Sequence, residues 1–344
     1  MSYGRVRSAV NTLLDDYDAA LLDLDGTVYR GSGAVDGAEE AVNAAHEHGV
    51  AVRFVTNNAS RGPDVVAAQL TGLGIQATVD EVSTSAQAGA RVLADKLPAG
   101  AKVFVFGTDA LVNEVVNRGF IPVRTADDDV AAVVQGLSQD AGWRDLAEAC
   151  LAIRAGAFWV ACNTDATLPT ERGLLPGAGA LVAALVTATG ASPVVAGKPA
   201  RPLMDDAIAA SGAAHPLAIG DRLDTDIAGA HAVGIDSMLV LTGVSAAADL
   251  LAAPPELRPT YVAADVRGLL LPSAEVRIAG EQEGWAVEVV DGRLRVTGSG
   301  SELGLLRGLC AAWWPGGGGR VDTVAGDDAA SVALAALGLG HRLA

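Results

Sequence analysis

Short apolar runs with strand character recur along the chain at 19–22, 50–55, 102–106, 130–134, 158–161, 217–219 and 238–241, each followed by a longer stretch of helical period. Such alternation predicts parallel sheets covered by helices, an α/β class. No repeat at a fixed period is evident. The stretch AAPPELRPT at 252–260 reads as a linker, and after a strand-like run at 261–263 the character of the chain changes. From Ala274 onward the pattern predicts a separate small α+β domain: a hairpin around Asp291 and Gly292, a helix from Ser301, a glycine run at 316–319, a short strand and a last helix from Asp327.

Composition narrows the classes of function. With 344 residues, half of them hydrophobic, the chain can bury a full core without staples. Three cysteines (Cys150, Cys162, Cys310) with no CxxC suggest neither a disulfide framework nor a zinc site, and point to the reducing cytoplasm. No secretory leader or membrane span is expected from the apolar pattern. His46, His48, His215, His231 and His341 show no metal-ligand spacing. A net charge of -17, spread along the chain, repels polyanions and excludes nucleic acid as a natural partner. It also repels a small phosphate ester, so a phosphate site here needs a divalent metal and a lysine.

Four stretches carry candidate chemistry. In LLDLDGTVYRG, Asp23 follows the first apolar run, Asp25 lies two positions on, and Gly26 lets backbone amides approach an anion. Ligands bind at that edge of open α/β sheets. In VRFVTNNASRG, Thr56 is first past a strand end, and Asn57 and Asn58 offer amides to phosphoryl oxygens. In VVAGKPARP, Lys198 sits between a glycine and a proline, and in LAIGDRLDTDIAGA, Asp221, Asp224 and Asp226 crowd another strand end. Each stretch alone has a plainer reading: a solvated DxD turn, an Asn-rich turn capped by Ser60, a surface lysine, or acids at a helix N-terminus. Three acids within six positions repel one another unless a cation binds, and capping does not easily explain all three.

Together the four stretches resemble the motif set of the haloacid dehalogenase (HAD) superfamily phosphatases over roughly residues 15 to 265. "LDLDGTVYRG", "FVTNN", "CNTDATLPTERGLLPGAGA" and "GDRLDTDI" are similar to the NagD-like, type IIA branch, which includes 4-nitrophenyl phosphatases, phosphoglycolate phosphatases and mycobacterial glycerol 3-phosphate phosphatases. The resemblance implies a Rossmann-like, doubly wound HAD core at 1–83 and 189–267, an inserted α/β cap of the kind the type IIA branch carries at 84–188, and a C-terminal module at 268–344. It implies Asp23 as nucleophile, Asp25 as general acid and base, and Thr56 and Lys198 on the phosphoryl group beside Gly26, Asn57 and Asn58. Mg²⁺ would be held by Asp23, the Asp25 carbonyl and Asp221, with Asp226 one shell out and Asp224 at the surface or a cap. In the cap, Asn163, Thr164 and Asp165, with Glu171 and Arg172, resemble a substrate-facing loop, the alternative being a turn and a surface ion pair.

The implied reaction is Mg²⁺-dependent hydrolysis of a small phosphate ester, by resemblance glycerol 3-phosphate, with phosphoglycolate, a nucleoside monophosphate or pyridoxal phosphate as alternatives. A lid of roughly 100 residues favours small esters over phosphoproteins. Relatives of this branch are often dimers through the cap, so a homodimer is implied. RVTGSG at 295–300 fits the R-x-x-G-x-G pattern of GNAT acetyltransferases, but the remaining chain is about half such a domain and shows no acid-base pair. It reads as a partial GNAT-like module with a structural or regulatory role rather than as an acyl-CoA site. The rival to an enzyme is a sensor in which Asp23 stays phosphorylated, and an intact Asp25 argues against it.

Overall fold

The structure, a computed structural model, describes residues 11–127, 129–170, 172–279 and 284–340. His341 and Glu171 lie outside the described residues. The first sheet has six parallel strands in the order Tyr261–Ala263, Asp236–Val240, Pro216–Gly220, Ala19–Leu22, Ala51–Thr56, Val82–Thr84. Its central strand shows why the runs are apolar throughout. Ala20 and Leu22 enter one buried cluster with Phe54, Ile219 and Val42, while Ala19 and Leu21 enter another with Val55, Leu203 and Ala218. Both faces of a parallel sheet are covered, so no position of the strand can be polar.

A second sheet, also parallel, runs Val194–Val195, Phe158–Ala161, Val130–Gln135, Lys102–Phe106, Ile121–Val123. It holds the three strands expected near positions 103, 131 and 159 and two more. The pair Val194–Val195 joins it from beyond position 188, the expected end of the cap. One face of this sheet (Val103, Val105, Val134, Val160) shares a buried cluster with Ala19, Leu21 and Ala218 of the first sheet. The helices Ser85–Ala94 and Arg201–Ser211 lie between the two sheets.

The C-terminal residues form a three-stranded sheet, with Trp285–Val290 antiparallel to Arg293–Gly298 and Thr323–Ala325 parallel to the latter. Asp291 and Gly292 both have positive φ (51° and 73°), the backbone of a tight two-residue hairpin turn. Ser301 and Asp327 cap the helices Glu302–Trp313 and Asp328–Ala336. Two features depart from the sequence reading. The stretch read as a linker is packed: Ala253 is buried, and Arg258 donates to the carbonyls of Ala253, Trp314 and Gly317 while its guanidinium lies 5.1 Å from the Trp314 ring centre. The first core also continues past 267, since Leu269 and Val276 are buried in the same cluster as Leu22 and Phe54.

The small module is not a tethered bead. Trp285, Leu294, Val296, Leu305, Leu309 and Leu334 form one buried cluster with Leu239, Leu250, Leu251 and Val262 of the first unit. The module therefore covers the face of the two outer strands that the helices leave open. Ending the chain after Ala279 exposes those four aliphatic side chains, each worth about 1.5–3 kcal/mol when buried. That is a large part of a typical stability of about 5–15 kcal/mol. We expect a clearly lower thermal midpoint or an aggregating product; an unchanged midpoint would show that the module contributes no cover.

Candidate active site

Three neighbouring strands, Pro216–Gly220, Ala19–Leu22 and Ala51–Thr56, end on the same edge of the first sheet and present Asp221, Asp23 and Thr56 in a row. The fourth stretch arrives from the turn after Val194–Val195, which carries Lys198. Carboxylate oxygens of Asp23, Asp221 and Asp226 all lie within 4.8 Å of one another. Lys198 is 3% exposed, and its ammonium sits 2.7 Å from both Asp23 Oδ1 and Asp226 Oδ1 and 2.8 Å from the Val55 carbonyl. Behind it the walls are apolar: Leu21, Val55, Met204, Ala218 and Ile219.

Low polarity behind and like charge beside set the electrostatics. Burial pushes the Asp23 carboxyl well above the usual range; Lys198 pulls it down, and Asp226 and Asp221 push it further up. Asp221 is pushed up to about 6 by burial and by Asp226, against the N–H of Val244, which donates to its Oδ2 at 2.6 Å. Burial works against the charge on Lys198, yet Asp226 and Asp23 more than offset it and hold the ammonium protonated. Asp25 remains open to solvent at the mouth, but the protein packed around it raises its pKa, opposed by Arg61 and Lys198. Ionised together, three carboxylates with one ammonium leave two uncompensated negative charges in a poorly solvated place, which is why the site resists their ionisation without a cation.

That surplus, on three oxygen donors, fits a hard divalent cation. The cradle around Asp221 fits it too. A Cβ at Gly26, whose φ is 97°, would lie 2.6 Å from Asp221 Oδ2, and one at Gly243 would lie 1.8 Å from the same oxygen. Thr242 Oγ1 donates to the Gly26 carbonyl at 2.6 Å, and Ser245 N donates to the Asp221 carbonyl at 3.0 Å. The loop 242–245 escaped the sequence reading, although "LVLTGVS" carries the same signal as the other strands: an apolar run ending in small polar residues.

The crowded acids separate. A π turn over Leu223–Ile227, with Ile227 N donating to Arg222 O at 3.2 Å, buries Asp226 against Lys198. Asp224 instead points outward, gripped through both oxygens by Arg222 at 3.0 and 2.7 Å and held below the usual carboxylate range by that guanidinium. Asn57 and Asn58 follow Thr56 as expected in the chain, and bonds within the protein occupy their side chains. Asn58 Oδ1 accepts from Ser60 N and Oγ, and Asn58 N donates to Thr56 Oγ1 at 3.0 Å, orienting that hydroxyl. Asn57 Oδ1 accepts from Lys198 N at 2.8 Å, and its Nδ2 donates to Lys198 O at 2.9 Å.

Asn163 and Asp165 do lie at the end of the strand Phe158–Ala161, close to the site. Asn163 Nδ2 donates to the Asn57 carbonyl at 2.7 Å, and Asp165 Oδ2 accepts from Asn57 Nδ2 at 3.3 Å. Burial raises the Asp165 pKa, with Arg222 and Asn57 opposing. Arg172 is exposed on the turn between Thr167–Thr170 and Gly173–Pro176. His46 and His48 pair with Glu81 and Asp15 at the surface, away from these residues.

Family models place this arrangement. A haloacid dehalogenase-like hydrolase model matches residues 20–121, a second HAD-hydrolase-like model matches 195–269, and a GCN5-related N-acetyltransferase-like model matches 282–339. The chain is 48% identical over 314 residues to the D-glycerol 3-phosphate phosphatase of Mycobacterium tuberculosis, covering 89% of this chain and 88% of that one. It is 36% identical to the acid sugar phosphatase of Staphylococcus saprophyticus, covering 75% of this chain and 98% of that one. Among solved structures, the M. tuberculosis glycerol phosphate phosphatase in complex with magnesium superposes with a TM-score of 0.91 at 47% identity, covering 96% of this chain and 100% of that one. A thermostable Geobacillus stearothermophilus NPPase gives 0.67 at 34% identity, covering 73% and 96%.

Proposed function

The chain belongs to the haloacid dehalogenase-like hydrolases, and from that membership we propose that it hydrolyses glycerol 3-phosphate to glycerol and inorganic phosphate through an aspartyl-phosphate on Asp23. That it is a phosphatase follows from its relatives; the ester rests on the identity to the mycobacterial enzyme. The observation that carries the reading is the buried Asp23–Lys198–Asp226 chain beside Asp221, at one edge of the sheet.

In the proposed sequence the Asp23 carboxylate attacks phosphorus in line, forming one P–O bond as the bond to the glycerol oxygen breaks. Asp25 gives its proton to that oxygen. It then takes a proton from water, which attacks the same phosphorus and releases phosphate and the Asp23 carboxylate. A raised pKa suits the first task, because it keeps the carboxyl protonated to a higher pH than a solvated aspartate. Lys198 and the Thr56 hydroxyl hold phosphoryl oxygens, and the ammonium offsets charge on the nucleophile. Asp23, the Asp25 carbonyl and Asp221 would hold Mg²⁺, which would supply Lewis-acid polarisation and charge neutralisation. Asp226 fixes Lys198 from the far side.

A panel of esters tests the substrate: glycerol 3-phosphate, phosphoglycolate, a nucleoside monophosphate, pyridoxal phosphate and sugar phosphates, each with Mg²⁺ or EDTA. We expect release only with metal and the highest kcat/KM for glycerol 3-phosphate. A better sugar phosphate would move the chain toward the staphylococcal relatives.

The proposal also takes in a homodimer and, from three unpaired cysteines, a cytoplasmic setting. Among the described residues, no helix is long and apolar enough to cross a membrane. The C-terminal module serves as cover for the sheet. Two amides of its glycine loop are already engaged, Gly298 N by Asp327 Oδ2 at 2.7 Å and Ser299 N by the Gly284 carbonyl at 2.8 Å. A pyrophosphate cradle needs such amides free. Titration with acetyl-CoA is expected to give no binding heat and no thermal shift; saturable binding would overturn this part.

A further inference from the structure

Asn57 joins more parts of the site than any reaction step assigns to it. Its side-chain amide closes a two-point clasp on the backbone of Lys198, accepting from N at 2.8 Å and donating to O at 2.9 Å. Its own carbonyl accepts from Ser85 Oγ at 2.6 Å and from Asn163 Nδ2 at 2.7 Å, while its second amide hydrogen reaches toward Asp165 Oδ2 at 3.3 Å. Space for the clasp comes from Gly197, where a Cβ would lie 2.6 Å from Asn57 Oδ1 and 2.5 Å from the Cys162 carbonyl. One residue thus links the strand Ala51–Thr56, the turn that carries Lys198 and the end of the strand Phe158–Ala161 in the second sheet.

We propose that Asn57 is a positioning residue: it sets the backbone of Lys198, and with it the ammonium between Asp23 and Asp226, and ties that setting to Asn163 and Asp165 at the edge of the second sheet. It does this in place of holding phosphate with its own side chain. A lysine has four rotatable bonds, so an ammonium with three partners at 2.7–2.8 Å needs a fixed starting point. A primary amide carries a donor and an acceptor on separate atoms and so can clasp an N–H and a C=O together, whereas a carboxylate has no donor and a hydroxyl must do both through one oxygen. The proposal rests on the phosphatase reading for its kinetic arm and on geometry alone for its chemical one.

The test is a double-mutant cycle of Asn57→Ala with Lys198→Ala, read as kcat and KM for glycerol 3-phosphate with Mg²⁺. Displacing a charge-bearing group by about an ångström costs about 10²-fold, so Asn57→Ala alone should lower kcat/KM by about that factor, mostly in kcat. In the Lys198→Ala background the same substitution should change little, because its target is gone. Equal losses in both backgrounds would mean that Asn57 meets the phosphoryl group itself, and would overturn the proposal. Asn57→Asp keeps the acceptor to Lys198 N but sets an acceptor oxygen against Lys198 O and the Asp165 carboxylate, so it should lose at least as much as Asn57→Ala. If Asn57→Ala does not fold, Asn57→Ser enters the cycle in its place.

A second arm needs no turnover. Labelling of Lys198 by an amine-acylating reagent, followed by peptide mass spectrometry, should be faster in Asn57→Ala than in wild type at matched fraction folded. Unchanged labelling would sink the clasp even where the phosphatase reading stands. Faster labelling in a protein that releases phosphate from no ester would uphold the clasp and remove the reading.

Discussion

Asp23→Asn is expected to abolish phosphate release while leaving the metal-free protein at least as stable as wild type. The two effects share one cause. Asp23 is one of three carboxylates whose oxygens lie within 4.8 Å of one another, with a single ammonium among them, so the native metal-free site carries a repulsion that its fold must tolerate. An amide of the same shape still accepts from Lys198 but removes one of those charges. Burial and the neighbours Asp226 and Asp221 raise the Asp23 pKa against the pull of Lys198, so its charge is disfavoured there. An amide cannot form an acyl phosphate, and removal of a covalent nucleophile costs on the order of 10⁴-fold or more in turnover. Thermal unfolding in EDTA beside a phosphate-release assay reads both. A variant that is inactive and much less stable would point to a structural role instead.

Lys198→Met is expected to fail in both respects. It leaves Asp23 and Asp226 buried with no counterion, and breaking a buried pair from one side costs about 3–5 kcal/mol. Turnover should fall by about 10³-fold, the cost of removing one oriented donor to a developing charge. Mg²⁺ should restore part of the stability, since a bound divalent cation replaces the missing positive charge, but little of the activity, since the phosphoryl oxygen still lacks its ammonium. Denaturant titration with and without Mg²⁺ checks the first statement. Full recovery of turnover by metal would show that Lys198 is not a phosphoryl ligand.

Much of this arrangement could be read from the chain because the chemistry sits where strands end. Asp23, Thr56 and Asp221 each follow a run buried on both faces, and strands that are parallel neighbours must deliver those positions to one edge. Spacing could not decide which acid of DRLDTD turns inward. Asp224 and Asp226 are chemically alike, and only the π turn, with Arg222 outside and Lys198 inside, separates them. The clasp of Asn57 on Lys198 spans 141 positions, and nothing local in TNN distinguishes an amide that holds backbone from one that holds phosphate.

The same limit hid the packing of the C-terminal module. Leu294 and Val296 alternate along the hairpin strand Arg293–Gly298 and are buried, but nothing local in the strand says that Leu239 and Val262 meet them. Pro-rich composition suggested a free linker at 252–260, whereas Arg258 ties that segment to the module by three carbonyls.

Whether phosphorus passes through Asp23 is the claim on which the rest depends. Rapid quench of the wild-type protein with Mg²⁺ and glycerol 3-phosphate, followed by peptide mapping under acid, reads it directly. We predict a phosphoryl adduct on the peptide carrying Asp23, formed and lost at rates compatible with turnover, and absent from Asp23→Asn. Phosphate release at an undiminished rate in Asp23→Asn, or turnover with no adduct at any quench time, would contradict the account and leave direct attack by water in its place.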